Sequence, residues 1–195
     1  MVVPSLTPDT AKPELRAALR SARKAFVAGL TFAERHDLEA SLVEVLAPLL
    51  ETTSMVAGYH AIGSEIDPQA ALTWAGNHGI SMALPAFVDA NSTMIFRSGT
   101  CAEDGPHGIP QPPHQAKQVD PDLILVPLLA VDRDGVRIGQ GGGHYDRVLG
   151  RLRFGGARIV GLGWAMQSVD FALPNDPWDV PLDGFASPAG LVMFR

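Results

Sequence analysis

DLILVPLLAVDRDGVRIGQGGGHYDR, residues 122–147, passes from a near-continuous apolar run to a glycine cluster and then into a helical pattern. An apolar run without alternation is the mark of a strand covered on both faces. Pro127 has no N–H and ends regular pairing. The helix expected from about His144 to Arg153 starts directly after Gly139, Gly141, Gly142 and Gly143. Helix starts that follow buried strands attract anions, because the unpaired N–H groups and the helix dipole both favour negative charge. Glycines let a phosphate approach those N–H groups closely. Arg137 adds a fork-shaped guanidinium, and Asp146 adds a carboxylate. A carboxylate beside a phosphate cradle is repulsive unless it pairs with Arg137 or Arg147, or holds a Mg²⁺ that the phosphate shares. No Gly-Lys-Ser/Thr follows, as a Walker loop would require, and His144 stands where a dinucleotide fingerprint has its third glycine. The set favours a Mg-nucleotide site; a tight turn or a flexible connector is the alternative.

Outward from this stretch, helical and strand patterns alternate. A helix over Pro13–Ala28 carries Leu15, Leu19, Ala22 and Phe26 on one stripe. A second starts at Thr31, where Thr31 and Glu34 form a capping box, and buries Leu38, Leu42, Val45 and Leu49. SMVAGYHAI, ISMALP, STMIFR, ARIVGLGW and GLVMF read as strands. Asp67-Pro68 opens a further helix that ends at Asn77 to Gly79. The alternation predicts a single α/β domain over residues 1–195 with a parallel or mostly parallel sheet. The Gly/Pro-rich segment at about 99–119 has no apolar period. A loop of that length is usually functional or disordered, and this one is expected to be mobile until ligands bind.

A net charge of −6 argues against a nucleic-acid or anionic-membrane surface, so any anion site must be a local cluster. One cysteine, Cys101, rules out an internal disulfide and a CxxC metal framework. The apolar runs stop short of the roughly 20 residues that span a bilayer, and the N-terminus has no signal-peptide core. A cytoplasmic protein is expected, as a monomer or weak dimer. Lys12, Arg16, Arg20 and Arg23 form a basic stripe on the first helix. A solvated face is the plain reading, yet Lys12 and Arg16 lie near a helix N-terminus, where the dipole disfavours cations, which suggests a compensating anion. His107 and His114 have no third partner at zinc spacing. Trp74 and Trp164 read as packing residues and Trp178 as a pocket wall.

KPELR (12–16), GSEID (63–67), GIPQP (108–112), the 122–147 stretch and the tail GLGWAMQSVDFALPNDPWDVPLD (161–183) resemble, in order, the landmarks of the 5-formyltetrahydrofolate cyclo-ligase family. The resemblance runs from about Lys12 to Asp183. It implies a three-layer α/β/α sandwich and an enzyme, an ATP-dependent ring-forming ligase that converts 5-formyltetrahydrofolate to 5,10-methenyltetrahydrofolate with release of ADP and phosphate. It further implies that Lys12, Arg16 and the loop Arg137, Gly139, Gly141, Gly142, Gly143 and Tyr145 contact ATP. His60, Glu65 and Tyr145 would bind the folate, Arg137 and Tyr145 would be catalytic, and Asp146 and Asp179 would hold Mg²⁺. Without the resemblance Glu65 reads as a solvated loop carboxylate and His60 as a strand-end histidine. The chain departs from the family pattern at Leu128, Val131, Gln140, His144, Trp178 and Ser187-Pro188. Those at Leu128, His144 and Trp178 motivate a second reading, a catalytically silent folate- or nucleotide-binding paralogue. A third is an unrelated α/β enzyme that binds a phosphorylated sugar.

Overall fold

The structure, a computed structural model, describes residues 11–106 and 108–194. Two helices come first, α1 (Lys12–Ala28) and α2 (Phe32–Leu50), then β1 (Met55–Ala57), α3 (Gln69–Asn77), β2 (Ser81–Ala86) and β3 (Ile95–Ser98). Five two-residue strands surround one longer one: β4 (Glu103–Asp104), β5 (Pro110–Gln111), β6 (Gln118–Val119), β7 (Leu123–Pro127), β8 (Ala130–Val131) and β9 (Arg137–Ile138). The chain closes with α4 (His144–Phe154), β10 (Arg158–Leu162), β11 (Gly184–Ser187) and β12 (Gly190–Met193). The capping box at α2 is present: Glu34 N–H donates to Thr31 Oγ1 at 3.2 Å, and Thr31 N–H donates to Glu34 Oε2 at 2.7 Å.

The main sheet has the order β12-β11-β10-β7-β1-β2-β3-β6. Its middle, from β11 to β2, is parallel, and β12, β3 and β6 add antiparallel edges. Parallel neighbours need crossovers, which α3 and α4 supply. In β7, Leu123 and Leu125 pack with Leu42, Leu46 and Leu72 of α2 and α3, while Ile124 and Val126 pack with Val148, Leu149 and Leu152 of α4. Successive side chains of a strand point to opposite faces, so one fully apolar strand serves both helical layers. The three-layer α/β/α sandwich with a mostly parallel central sheet follows. No helix among the described residues is long and apolar enough to cross a membrane.

The chain leaves β1 through α3 to β2 on one side and leaves β7 through α4 to β10 on the other. Strand order therefore reverses between β1 and β7, and the crevice at their carboxyl ends is where such sheets bind ligands. Helix α1 closes over this end. Its Leu15 and Leu19 pack on Leu129, Ala130, Ile138 and Leu173, which brings its basic face toward the glycine loop.

Local details differ from the sequence expectations. SMVAGYHAI keeps only three residues in the sheet, because beyond Gly58 the chain bends into a loop held by the Tyr59 hydroxyl donating to Ile66 O at 2.8 Å. Helix α3 starts at Gln69, not Pro68, with Asp67 Oδ1 accepting from Gln69 N–H at 2.9 Å. The strand Gly184–Ser187 had no apolar alternation to announce it. The segment at 99–119 is not structureless. Strands β4 and β5 pair within it, and buried Gln111 is clamped to Phe87, accepting from its N–H at 2.9 Å and donating to its carbonyl at 3.2 Å.

Truncating the shared strand tests this two-sided core. Leu125→Ala is expected to lower stability by about 2–5 kcal/mol in urea unfolding, whereas Val192→Ala, on an exposed edge, should stay within about 0.5 kcal/mol.

Candidate active site

A cavity of about 570 Å³ opens at the carboxyl ends of β1, β2 and β7, within the range of small-molecule sites. Tyr59, His60 and Glu65 come from the segment after β1, Leu84 and Pro85 from β2, and Pro127 from β7. The glycine loop and the start of α1 supply the polar wall, and Ile109 to Gln111 of the β4–β5 hairpin close another side. GIPQP is thus a cavity-lining segment.

The glycine loop is held from both ends. Before it, Asp132 is buried and accepts from Asp134 and Val136 N–H, each at 3.0 Å, and from Leu173 N–H at 2.9 Å. This fixes the turn between β8 and β9. Arg137 then lies in a strand, not in the loop that the sequence suggested, and is 8% exposed. Its guanidinium donates to Val180 O and to Asp146 Oδ1, both at 2.5 Å. After it, Gly143 takes a left-handed φ of 63° as the N-cap of α4, and Gly141 has φ 107°. A side chain at either position would be strained. The Arg16 guanidinium packs over Gly141, and its Nε donates to Gly139 O at 3.2 Å. Lys12 and Arg16 therefore share a wall with the glycine loop, as a common phosphate site demands.

The basic stripe of α1 divides by depth. Lys12 Nζ donates to Asp176 Oδ2 at 2.5 Å and to Asp179 Oδ2 at 2.7 Å. Burial pulls the Lys12 pKa down, but its hydrogen bonds to Asp176 and Asp179, together with their charges, outweigh it and leave the pKa raised. Burial likewise pushes Asp179 up, and the Lys12 hydrogen bond, the Asp176 N–H and the Lys12 and Arg137 charges bring it below its ordinary value. The anion that compensates the helix-start cation is thus the protein's own. Arg20 donates to Gln140 Oε1 at 3.0 and 3.2 Å. Arg23 is buried and donates to Ser64 Oγ and Leu128 O, each at 3.1 Å, with NH1 3.7 Å from Glu65 Oε1. Burial lowers the Arg23 pKa, opposed first by the Glu65 charge.

Glu65 is not a solvated loop carboxylate: it is 5% exposed. It accepts from Ile62 N–H and from Gln140 Nε2, both at 3.0 Å, and faces the cavity. Burial, and then the Glu65 charge, raise the Tyr145 hydroxyl pKa well above its ordinary value, which keeps it a neutral donor. His60 is exposed at the rim. Trp178, 70% exposed, also lines the cavity, whereas Trp164 is core and packs on Phe26 in a tilted pair with ring centroids 5.5 Å apart. Of the departures, Leu128 and Val131 are core residues, and Gln140, His144 and Trp178 face the cavity. His114 lies 3.8 Å from Glu103, and His107 is outside the described residues.

Sequence reasoning missed the tasks of Arg23, Gln140 and Asp176. Charge spacing put Arg23 on the right face, but nothing in the spacing distinguished a buried partner for Glu65 from an exposed cation. Among the described residues no three His, Cys, Asp or Glu side chains cluster as a metal cage. Mg²⁺ needs only one or two carboxylates when phosphates complete its shell. Asp146 engages Arg137 through Oδ1, and Asp179 engages Lys12 through Oδ2. The second oxygen of each has no hydrogen-bond donor among the described residues, so each carboxylate keeps an oxygen that could serve such an ion.

The sequence profile of the 5-formyltetrahydrofolate cyclo-ligase family matches residues 8–188. A 5-formyltetrahydrofolate cyclo-ligase of Mycolicibacterium smegmatis is 31% identical over 195 residues, covering 94% of this chain and 97% of its own. One from Haemophilus influenzae is 29% identical over 181 residues, covering 88% and 94%. The solved structure of Aquifex aeolicus 5,10-methenyltetrahydrofolate synthetase superimposes with a TM-score of 0.78 at 27% identity, covering 95% of this chain and 94% of that one.

The Lys12–Asp179 pair makes acid stability a test of this geometry. A carboxylate held below its ordinary value of 3.8 contributes stability that is full above that value and drains away as the pH falls through the lowered one. Asp179→Asn is therefore expected to be less stable than the wild type at neutral pH and to converge on it below pH 3.8. Parallel unfolding curves down the whole acid range would show that the pair contributes nothing.

Proposed function

The chain belongs to the 5-formyltetrahydrofolate cyclo-ligase family, a family of ligases, and we propose that it closes 5-formyltetrahydrofolate to 5,10-methenyltetrahydrofolate at the expense of ATP. One observation carries this reading. A single cavity has a cationic, glycine-lined wall of Lys12, Arg16, Arg137 and residues 139–143, and beside it a buried carboxylate, Glu65, among apolar side chains. The first suits a triphosphate. The second suits a flat heterocycle whose N–H groups need an acceptor.

The chemistry calls for both. The formyl group is an amide, and its oxygen is a poor leaving group. In the reaction the formyl oxygen attacks the γ-phosphorus, the bond to the bridging oxygen breaks, and ADP departs. N10 then attacks the formyl carbon and loses its proton, and the former formyl oxygen leaves as part of phosphate. The protein must hold the formyl oxygen in line with the γ-phosphorus and neutralise the charge that moves. Lys12, Arg16 and Arg137 are the cations for this task, and the N-terminal end of the α4 dipole adds to them. Glu65 would accept from the pterin, with Arg23 behind it. His60 would line the folate side. Tyr145, protonated and between the two walls, would donate to the oxygen that is transferred. Asp146 and Asp179 would hold Mg²⁺, which when bound supplies positive charge to the phosphates. The absence of an activated serine or cysteine motif in the sequence is consistent with this.

Purified protein given MgATP and 5-formyltetrahydrofolate is expected to form 5,10-methenyltetrahydrofolate, seen by its longer-wavelength absorbance, with one ADP and one phosphate per ring closed. Binding of both ligands with no ADP formed would instead favour the silent paralogue. Arg137→Ala should lower turnover by about 100-fold or more, and circular dichroism should accompany the assay because Arg137 also ties β9 to Val180. Asp146→Asn should shift the Mg²⁺ dependence of turnover while 5-formyltetrahydrofolate binding, measured by calorimetry, stays near wild type.

A further inference from the structure

Gln140 is the only side chain from the glycine loop among the described residues that reaches both α1 and the carboxylate after β1. Its Oε1 accepts from Arg20, and its Nε2 donates to Glu65 Oε1. Gly139, Gly141, Gly142 and Gly143 have no side chains, so apart from the Arg16 contact to Gly139 O, Gln140 carries the connection between this loop and its neighbours. The other end of the connection is rigid. Glu65 is buried, bonded to Ile62 N–H, and backed by Arg23, which is itself fixed to Ser64 and to Leu128 O.

We propose that Gln140 is a positioning residue that couples the nucleotide and folate halves of the cavity, so that each ligand tightens the other. A phosphate seated on residues 139–143 must immobilise a loop of high conformational freedom. A ligand on Glu65 needs that carboxylate held in one orientation. The Gln140–Glu65 hydrogen bond makes these one ordering event, and a second ligand that finds the ordering already done binds more tightly. The bond has an ionised acceptor, which puts it among the stronger protein hydrogen bonds, so a coupling on the order of 10-fold is expected, inside the usual span for linked sites. Linkage is reciprocal: a nucleotide that tightens the folate must itself be tightened by the folate to the same extent. This proposal rests on the ligase reading above.

The test is a binding cycle on the whole protein by calorimetry. The dissociation constant of 5-formyltetrahydrofolate is measured with and without a non-hydrolysable MgATP analogue, and that of the analogue with and without 5-formyltetrahydrofolate. The wild type should show about 10-fold mutual tightening. Gln140→Ala should abolish the coupling while each ligand alone still binds. Gln140→Met keeps the length and volume but cannot hydrogen-bond, so it should behave like Gln140→Ala, whereas a residue that only fills space would be rescued by it. Thermal melts of the three proteins establish that they are folded. Undiminished coupling in either variant, or no coupling in the wild type, overturns the proposal and leaves the ligase reading standing. If the wild type binds neither ligand, the ligase reading itself fails.

Discussion

Helix α1 presents four cations on one face of a protein whose net charge is −6, and every one of them finds an acceptor on chain remote in sequence. That demand organises the carboxyl end of the sheet. Lys12 holds the 176–179 segment, Arg16 the glycine loop, Arg20 Gln140, and Arg23 the loop after β1. A buried guanidinium without such partners would cost several kcal/mol, so Arg23 in particular admits few arrangements of its surroundings. Leu15 and Leu19 set the helix down, and the cations decide what gathers around it.

The same arrangement gives Lys12, Arg16 and Arg137 on the cavity wall acceptors from the protein itself. Lys12 is shared by two carboxylates, Arg137 is spanned by a carbonyl and Asp146, and Arg16 rests on a carbonyl. An incoming polyanion must exchange partners with groups already in place. This differs from falling into an open field of positive charge, and it suits an acidic protein, in which a lasting excess of unpaired cations would attract anions of every kind. It also explains why the carboxylates are needed. They hold the cations in position, and on the ligase reading proposed above they are the groups that a divalent cation and a phosphate chain would share.

The topology accounts for where this happens and the loops for what happens there. Reversal of strand order between β1 and β7 opens a crevice in any doubly wound sheet. What makes this crevice particular is that β1 stops after three residues, which frees Tyr59 to Glu65 to line it, and that Asp132 fixes a tight hairpin whose return strand aims Arg137 inward. The β4–β5 hairpin, pinned by Gln111 to Phe87, completes the enclosure. The side chains that depart from the family pattern at Gln140, His144 and Trp178 face this space, and those at Leu128 and Val131 face the core.

By itself the sequence determined the layers and singled out the glycine loop as the candidate anion site. Apolar runs without alternation give central strands, 3.6-residue stripes give helices, and glycines before a helix start give a place for phosphate, because these patterns act over a few neighbouring residues. It also placed Lys12, Arg16, Arg137 and Asp146 among the groups that matter, since charge at a helix end or beside a glycine cluster is legible locally. Only the tertiary structure decided which charge meets which. Glu65 read as a solvated residue and is buried against Arg23, which lies 42 positions earlier in sequence; Gln140 joins Arg20 to Glu65 across separations of 120 and 75 residues. Hydrogen bonds and ion pairs of that range leave no period or spacing in the chain, for their partners are neighbours only once the sheet has been ordered and α1 laid across its end.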